Sequence, residues 1–192
     1  MRVVAGAARG RLLRAPPGRG SRPTSDRVRE AVFSMLHSLD AVEGARVVDL
    51  FAGSGALGIE ALSRGAKEAT FIDSDRAAIE AIRSNLAVLG ESAAQAKVVR
   101  ADVFGYLAGA PCADLVLADP PYAFDRWEAL LDLLAPRAAL VVAEGDLPLS
   151  ERWPPPPSWE TVRVKRYGST VVVVARPNYA ASPGSAPLQG ST

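Results

Sequence analysis

The sequence predicts an α/β protein with a mostly parallel, seven-stranded sheet and helices on both of its faces. Short apolar segments alternate with segments of helical periodicity from residue 45 to residue 143, which is typical of a doubly wound sheet. A glycine-rich turn joins the first of these strands to the first of these helices, as in nucleotide-binding sheets. The last two apolar segments have no helix between them, so we expect a closing antiparallel hairpin.

The individual elements follow from hydrophobic periodicity and from residues that begin or end helices. Two apolar residue pairs flank an arginine-containing stretch at the N-terminus and predict a short hairpin or arm. Thr24 or Ser25 is placed to cap a helix whose apolar residues recur as far as Leu39, and we expect Gly44 to end it. The predicted strands are 45–50, 68–72, 97–100, 114–118, 137–143, 160–165 and 170–175. The predicted helices between them are 56–64, 75–89, 103–107 and 126–134.

Composition limits the class of protein. A chain of 192 residues with 48% hydrophobic and 22% charged residues is typical of one globular unit. We divide it into a basic arm and helix (1–43), a sheet domain (44–176) and a disordered tail (177–192). Cys112 is the only cysteine, which excludes an internal disulfide and argues against structural zinc. The sequence has no apolar run of about 20 residues and no signal-like start, so we expect a cytoplasmic protein that does not bind a membrane. We also expect a monomer that binds no metal.

The charge distribution is uneven. Residues 1–30 contain eight arginines and two acidic residues, whereas the whole chain has a net charge of only +1. Arginine is suited to bidentate phosphate contacts, so the basic segment predicts a polyanionic partner. The alternative is a solvated leader that has no partner.

A nucleotide-like turn follows the first predicted strand. Gly53, Gly55 and Gly58 satisfy G-x-G-x-x-G, and Asp73 follows the second strand, where a ribose-binding acid belongs. This pattern alone does not choose between cofactors. Asp49, just before the glycines, would repel a pyrophosphate but suits a cation. S-adenosylmethionine carries an ammonium and a sulfonium and no phosphate, so electrostatics favour it over NAD.

Further polar residues follow the third and fourth strands. Asp102 is placed to accept a hydrogen bond from an adenine amino group or, alternatively, to cap the next helix. Val103 can cover the adenine ring. Ligands bind at the carboxyl ends of such strands, so we expect these acids to lie at one site. The predicted cofactor-binding residues are Asp49, Phe51, Ala52, Gly53, Ser54, Gly55, Asp73, Ser74, Asp102, Val103 and Asp119.

The fourth strand ends in a tetrapeptide suited to holding a flat polar group. Asp119 can accept hydrogen bonds from an NH2 group, and Pro120 and Pro121 fix the backbone and remove two N–H donors. Tyr122 offers a ring on which a base can stack. The alternative is an ordinary strand-ending turn. We predict that Asp119, Pro120, Pro121 and Tyr122 form the catalytic motif.

These residues resemble those of a known class of enzyme. The turn 49–58, Asp73, Asp102 and the tetrapeptide 119–122 resemble the class I S-adenosylmethionine-dependent methyltransferases, which have a Rossmann-like fold. Asp-Pro-Pro-Tyr is similar to the form found in enzymes that methylate exocyclic amino nitrogens.

Other segments narrow the resemblance. Arg22-Pro23-Thr24, the segment 27–30 with Phe33, and Arg166-Tyr167-Gly168 resemble the small-subunit ribosomal RNA guanine-N2 methyltransferases, the RsmD family. The resemblance extends from Arg2 to about residue 175. It departs at Ala5-Gly6, where the family usually has paired glycines.

The resemblance implies methyl transfer from S-adenosylmethionine to N2 of a guanine in small-subunit (16S) rRNA, free or in an assembling 30S subunit, with S-adenosylhomocysteine as the product. The implied RNA contacts are Arg9, Arg11, Arg22, Thr24, Arg27, Arg29 and Tyr122. An adenine-N6 DNA or RNA methyltransferase is the nearest alternative, because the same tetrapeptide serves both amines. A protein-glutamine methyltransferase, an NAD-dependent oxidoreductase and a non-catalytic RNA-binding module are further alternatives.

Overall fold

The computed structural model describes residues 1–17, 26–121, 124–146 and 159–178. The helices of these ranges are α1 (Asp26–His37), α2 (Ala56–Ser63), α3 (Arg76–Leu86), α4 (Val103–Ala108) and α5 (Trp127–Leu134), with a 3-10 segment at Ala87–Gln95. The strands are β1 (Arg46–Leu50), β2 (Glu68–Asp73), β3 (Ala96–Arg100), β4 (Ala113–Ala118), β5 (Ala138–Asp146), β6 (Trp159–Tyr167) and β7 (Thr170–Pro177). Within these ranges, no helix combines the length and the hydropathy that crossing a membrane requires.

The strands form one sheet in the order β3-β2-β1-β4-β5-β7-β6. Strands β1 to β5 are parallel, whereas β7 pairs antiparallel with both β5 and β6. The predicted fold class is therefore confirmed. The strand order reverses between β1 and β4, and the pairing of Leu50 with Ala118 aligns the carboxyl ends of these two strands. A crevice at such a reversal is where open α/β sheets bind their ligands.

Alternating side chains of the strands fill two cores, one on each face of the sheet. Val47, Leu115 and Val142 contribute to the core that includes apolar residues of α1, α2 and α3. Their neighbours Val48 and Val116 contribute to the opposite core, beneath α4 and α5. Both faces of the central strands are thus covered by helices, which explains why these strands are nearly continuous apolar runs.

Two predicted helix ends are wrong. Helix α1 ends at His37, seven residues before Gly44, and Leu39 joins the core from the turn that follows. Helix α3 ends at Leu86 and continues as the 3-10 segment, which includes Gly90 with a φ of 57°. At the end of the sheet, Pro177, which we assigned to the tail, pairs with Trp159 in the hairpin. Residues 179–192 of the predicted tail lie outside the described residues.

The N-terminal residues fold back on themselves. Arg2 and Leu12 form an antiparallel bridge, and the Val3 amide donates to the Arg11 carbonyl over 2.9 Å. Val3, Ala8 and Leu13 are buried in the same core as α1, α2 and α3. We call residues 1–14 the arm. Val3, Ala8 and Leu13 anchor the arm on the sheet domain, whereas Leu12 and the arginines of the arm are exposed.

Candidate active site

The turn between β1 and α2 has an unusual backbone. Phe51, Gly53 and Gly55 have φ values of 58°, 57° and 77°. Gly55 is the N-cap of α2 in the left-handed conformation, which a glycine adopts without steric cost. Gly58 is required for another reason, since a Cβ there would lie 2.3 Å from Cε1 of Phe71 on β2. The glycines therefore allow a tight turn and a close approach of α2 to the sheet.

Asp49 lies on β1 directly before this turn and is only 1% exposed. Its Oδ2 accepts a hydrogen bond from the Gly58 amide over 2.9 Å. Burial raises the pKa of the Asp49 carboxyl well above its usual range; the charges of Asp119 and Asp73 raise it too, and the Gly58 hydrogen bond opposes them. Three carboxyl groups thus converge at one end of the sheet, and a cation bound there would relieve their repulsion.

Asp73, at the end of β2, holds the turn from the other side. Its Oδ2 accepts from the Gly53 amide and its Oδ1 from the Asp75 amide, both over 2.9 Å. Asp73 is 3% exposed. The carboxylate fixes the glycine turn relative to β2. Ser74, which follows it, is exposed, and its carbonyl accepts from Arg100 Nε over 3.2 Å.

Asp102 follows β3 and caps α4. Its Oδ1 accepts from the amides of Phe104 and Gly105 over 3.1 and 3.0 Å. The alternative that we gave for Asp102, a helix cap, is therefore present in the structure. Both bonds use Oδ1, so Oδ2 is still available to a donor on a ligand. Val103 is 4% exposed and packs into the core beneath α4.

The motif after β4 lies beside the turn after β1. Asp119 is half-buried, Pro120 is buried and Pro121 is exposed. The Pro121 carbonyl accepts from the Phe124 amide over 2.9 Å, so the chain turns back immediately after the motif. Tyr122, the predicted base-stacking residue, lies outside the described residues.

An aromatic cluster that we did not predict borders the motif. The Phe124 ring lies 5.2 Å from that of Phe51 and 5.1 Å from that of Trp127, both edge to face, and 6.4 Å from that of Phe104. The Arg126 guanidinium lies 3.7 Å from the Phe104 ring centroid. The cluster connects the turn after β1 with the segment after β4. Only the presence of Phe124 and Arg126 so close to the motif could have indicated it.

Of the predicted RNA contacts, Arg9, Arg11 and Arg27 are exposed, and Arg22 and Thr24 lie outside the described residues. The structure contradicts the predicted RNA contact of Arg29. Arg29 is 0% exposed, its Nη2 donates to Asp26 Oδ1 over 2.7 Å, and its Nε lies 3.6 Å from Oε2 of buried Glu60. A guanidinium enclosed in this way does not reach an RNA phosphate. Arg29 therefore supports the fold rather than contacting RNA.

Comparison with known proteins identifies the family. A family model described as "Conserved hypothetical protein 95" matches residues 1–176. Ribosomal RNA small subunit methyltransferase D from Haemophilus influenzae is 36% identical over 178 residues, which cover 88% of this chain and 89% of the relative. The protein of the same name from Escherichia coli K12 is 43% identical over 136 residues, 70% of this chain and 66% of the relative. The chain belongs to the methyltransferase D family.

A solved structure agrees with this assignment. The Escherichia coli protein yhhF superposes with a TM-score of 0.78 at 35% identity and covers 92% of this chain and 97% of its own. This member of the methyltransferase D family is thus an enzyme with the sheet of the class I methyltransferases, as the sequence predicted.

The site of this methyltransferase D family member fits the predicted S-adenosylmethionine. Gly53 and Gly55 adopt positive φ values in the turn before α2, and Gly58 lets this helix lie close to Phe71 on β2. Asp49 and Asp119 provide negative charge suited to a cation, and Asp102 Oδ2 is open to a donor. Within the described ranges, no group of three or more His, Cys, Asp or Glu residues is placed to hold a metal ion. Cys112 is exposed and lies directly before β4, at the opposite end of that strand from Asp119.

Proposed function

We propose that this protein transfers a methyl group from S-adenosylmethionine to the exocyclic N2 of a guanine in small-subunit rRNA. One observation carries the proposal. Asp49 and Asp119 lie at the aligned carboxyl ends of β1 and β4, close enough that Asp119 raises the pKa of Asp49. A carboxylate suited to a cationic donor therefore neighbours a carboxylate suited to an amine.

The cofactor half of the site consists of the turn after β1 and the acids after β2 and β3. S-adenosylmethionine, when bound, supplies a methyl group on a sulfonium. Asp49 and the turn orient its charged end, Asp73 accepts hydrogen bonds from a ribose, and Asp102 accepts one from an adenine amino group. The Asp73 carboxylate already accepts a hydrogen bond from the Gly53 amide. In this proposal the same carboxylate therefore both holds the turn and binds the ribose.

The target half consists of Asp119 and the two prolines. The lone pair of guanine N2 is delocalised into the ring, so the amine is a weak nucleophile. Asp119 accepts a hydrogen bond from the amine and thereby aims the nitrogen lone pair at the methyl group. N2 gains the methyl group and releases one of its two protons. Buried Pro120 presents no N–H that would compete for this carboxylate. Positioning and electrostatics are expected to supply most of the rate acceleration, and the target base must leave its stack to reach the site.

The proposed binding of RNA depends on the exposed arginines of the arm and α1. Arg9, Arg11 and Arg27 are exposed and bind phosphates in this proposal. We further propose that the protein acts as a cytoplasmic monomer on free rRNA or on an assembling subunit.

The direct test is methyl transfer from labelled S-adenosylmethionine to unmodified small-subunit rRNA and to small subunits. We expect the wild-type protein to label at least one of them. Asp119→Ala should lose labelling but largely retain binding of S-adenosylhomocysteine in calorimetry, because Asp49, Asp73 and Asp102 remain. If Asp119→Ala labels rRNA at the wild-type rate, the role of Asp119 is wrong. If the protein labels adenine-N6 in DNA and not rRNA, the alternative methyltransferase function is correct.

A further inference from the structure

One buried amide connects the arm to the cofactor turn. Asn85, in the last turn of α3, is only 3% exposed. Its Oδ1 accepts from the Arg14 amide over 2.8 Å, and its Nδ2 donates to the carbonyls of Arg14 and Ser54 over 2.9 and 2.8 Å. A side-chain amide has two N–H donors, so both are in use. The same planar group therefore holds two segments that are 40 residues apart in the chain.

The two segments have different functions under the proposed activity. Ser54 lies between Gly53 and Gly55, in the turn that approaches the cofactor. Arg14 is the last residue of the arm, whose exposed Arg9 and Arg11 are the proposed RNA contacts. A weaker contact joins the same places, since the Ser54 hydroxyl lies 3.4 Å from Met1 Sδ at the other end of the arm.

A second set of contacts holds the tip of the arm, but it does not include the turn. The Ser63 hydroxyl accepts from the Ala8 amide over 2.9 Å and donates to the Ala5 carbonyl over 2.6 Å. Glu60 accepts from the amides of Val4 and Ala5 over 2.7 and 2.9 Å. Both residues lie on α2, so the tip is fixed to a helix, whereas the base of the arm is fixed through Asn85 to the turn itself.

We propose that Asn85 is a positioning residue that couples occupancy of the cofactor turn to the RNA-contacting arm. This inference rests on the proposed function. A cofactor that immobilises Ser54 also immobilises Arg14, because the two backbones share one buried amide. The arm then loses less conformational freedom when it meets RNA, so cofactor and RNA strengthen each other's binding. Linkage requires the effect to be equal in both directions.

The wild-type protein provides the first test. Addition of S-adenosylhomocysteine without RNA should slow hydrogen exchange at the Arg14 amide, which bonds to Asn85 rather than to the turn. Unchanged exchange at Arg14, with the cofactor shown to be bound by calorimetry, overturns the proposal. This measurement requires neither RNA nor catalysis, so its failure is distinct from failure of the proposed function.

The second test measures the dissociation constant of unmodified small-subunit rRNA with and without saturating S-adenosylhomocysteine. We expect the cofactor to tighten RNA binding by about fivefold or more in the wild type, the lower end of typical couplings. Asn85→Asp keeps an acceptor for the Arg14 amide but places a carboxylate oxygen against the Arg14 and Ser54 carbonyls. Asn85→Ser is too short to reach both. Each variant should reduce the ratio to about one.

Ser63→Ala is the matched control. It removes hydrogen bonds to Ala5 and Ala8 at the tip of the arm and leaves the Asn85 contacts intact. It should weaken RNA binding equally with and without cofactor, so the ratio should stay at the wild-type value. The proposal is wrong if either Asn85 variant keeps the wild-type ratio, or if Ser63→Ala abolishes it as completely as they do.

Discussion

Replacing Arg29 with methionine should destabilise the protein without changing how RNA binding responds to salt. The Arg29 and Glu60 side chains are both fully buried, and their Nε and Oε2 atoms lie 3.6 Å apart. Removing one partner of a buried ion pair costs about 3–5 kcal/mol. Glu60 keeps three donors, namely the amides of Val4 and Ala5 and the Arg64 Nε over 2.7 Å. We therefore expect the lower end of that range, about 3 kcal/mol.

Urea denaturation measures this cost. With a denaturant slope of about 2–3 kcal/mol/M, a loss of 3 kcal/mol lowers the midpoint by roughly 1–1.5 M. The control is Arg27→Met, two residues earlier on the same helix and exposed. It should leave the midpoint nearly unchanged and reduce the slope of log K against log salt by about 0.7–0.9, the value for one phosphate contact. A normal midpoint for Arg29→Met, together with a reduced salt slope, would refute the structural role of Arg29.

Three further outcomes follow from the site and the arm. Gly58→Ala should destabilise by about 1–3 kcal/mol in urea denaturation, because its Cβ meets Phe71 at 2.3 Å; a wild-type midpoint would mean that α2 shifts freely. Asp49→Asn should raise the melting temperature at neutral pH while abolishing calorimetric cofactor binding, because burial raises the pKa of Asp49 and its ionised form destabilises the fold. The increase in melting temperature should be largest above the folded-state pKa of Asp49 and should disappear below about pH 4. An increase that grows as the pH falls would contradict this reasoning. Replacing both Arg9 and Arg11 with Gln should reduce the salt slope of RNA binding by roughly 1.4–1.8. An unchanged slope would show that these arginines do not contact RNA phosphates.

The sequence predicted the sheet because the sheet depends on local patterns of apolar residues. Apolar runs that alternate with helical periodicity indicate a parallel sheet, and the missing helix between the last two runs indicates the hairpin. They do not give the order of the strands, which only the structure shows. The G-x-G-x-x-G spacing singled out Gly58, but its close contact with Phe71 on β2 is visible only in the structure. The ends of the helices were harder to predict from the sequence. Leu39 continues the apolar periodicity of α1, but it reaches the core from a turn rather than from a helical residue.

Arg29 was misassigned although the sequence carried a usable signal. Arg29 precedes Phe33 by four residues and Leu36 by seven, so all three lie on one face of α1, and that face is buried. We assigned Arg29 to RNA binding because it lies in a basic segment, and we gave this spacing too little weight. The contacts of Glu60 and Asn85 had no such signal. Their partners in the arm are 55 to 71 residues away, and only the packed structure brings them together.

In the proposed function, Asp119 and the turn after β1 form one site for methylating guanine N2. The most direct measurement is mass spectrometry of nucleosides from small-subunit rRNA that has been incubated with the protein and S-adenosylmethionine. We expect N2-methylguanosine with the wild-type protein and none with Asp119→Ala. N6-methyladenosine, or N2-methylguanosine at the same level from both proteins, would contradict it.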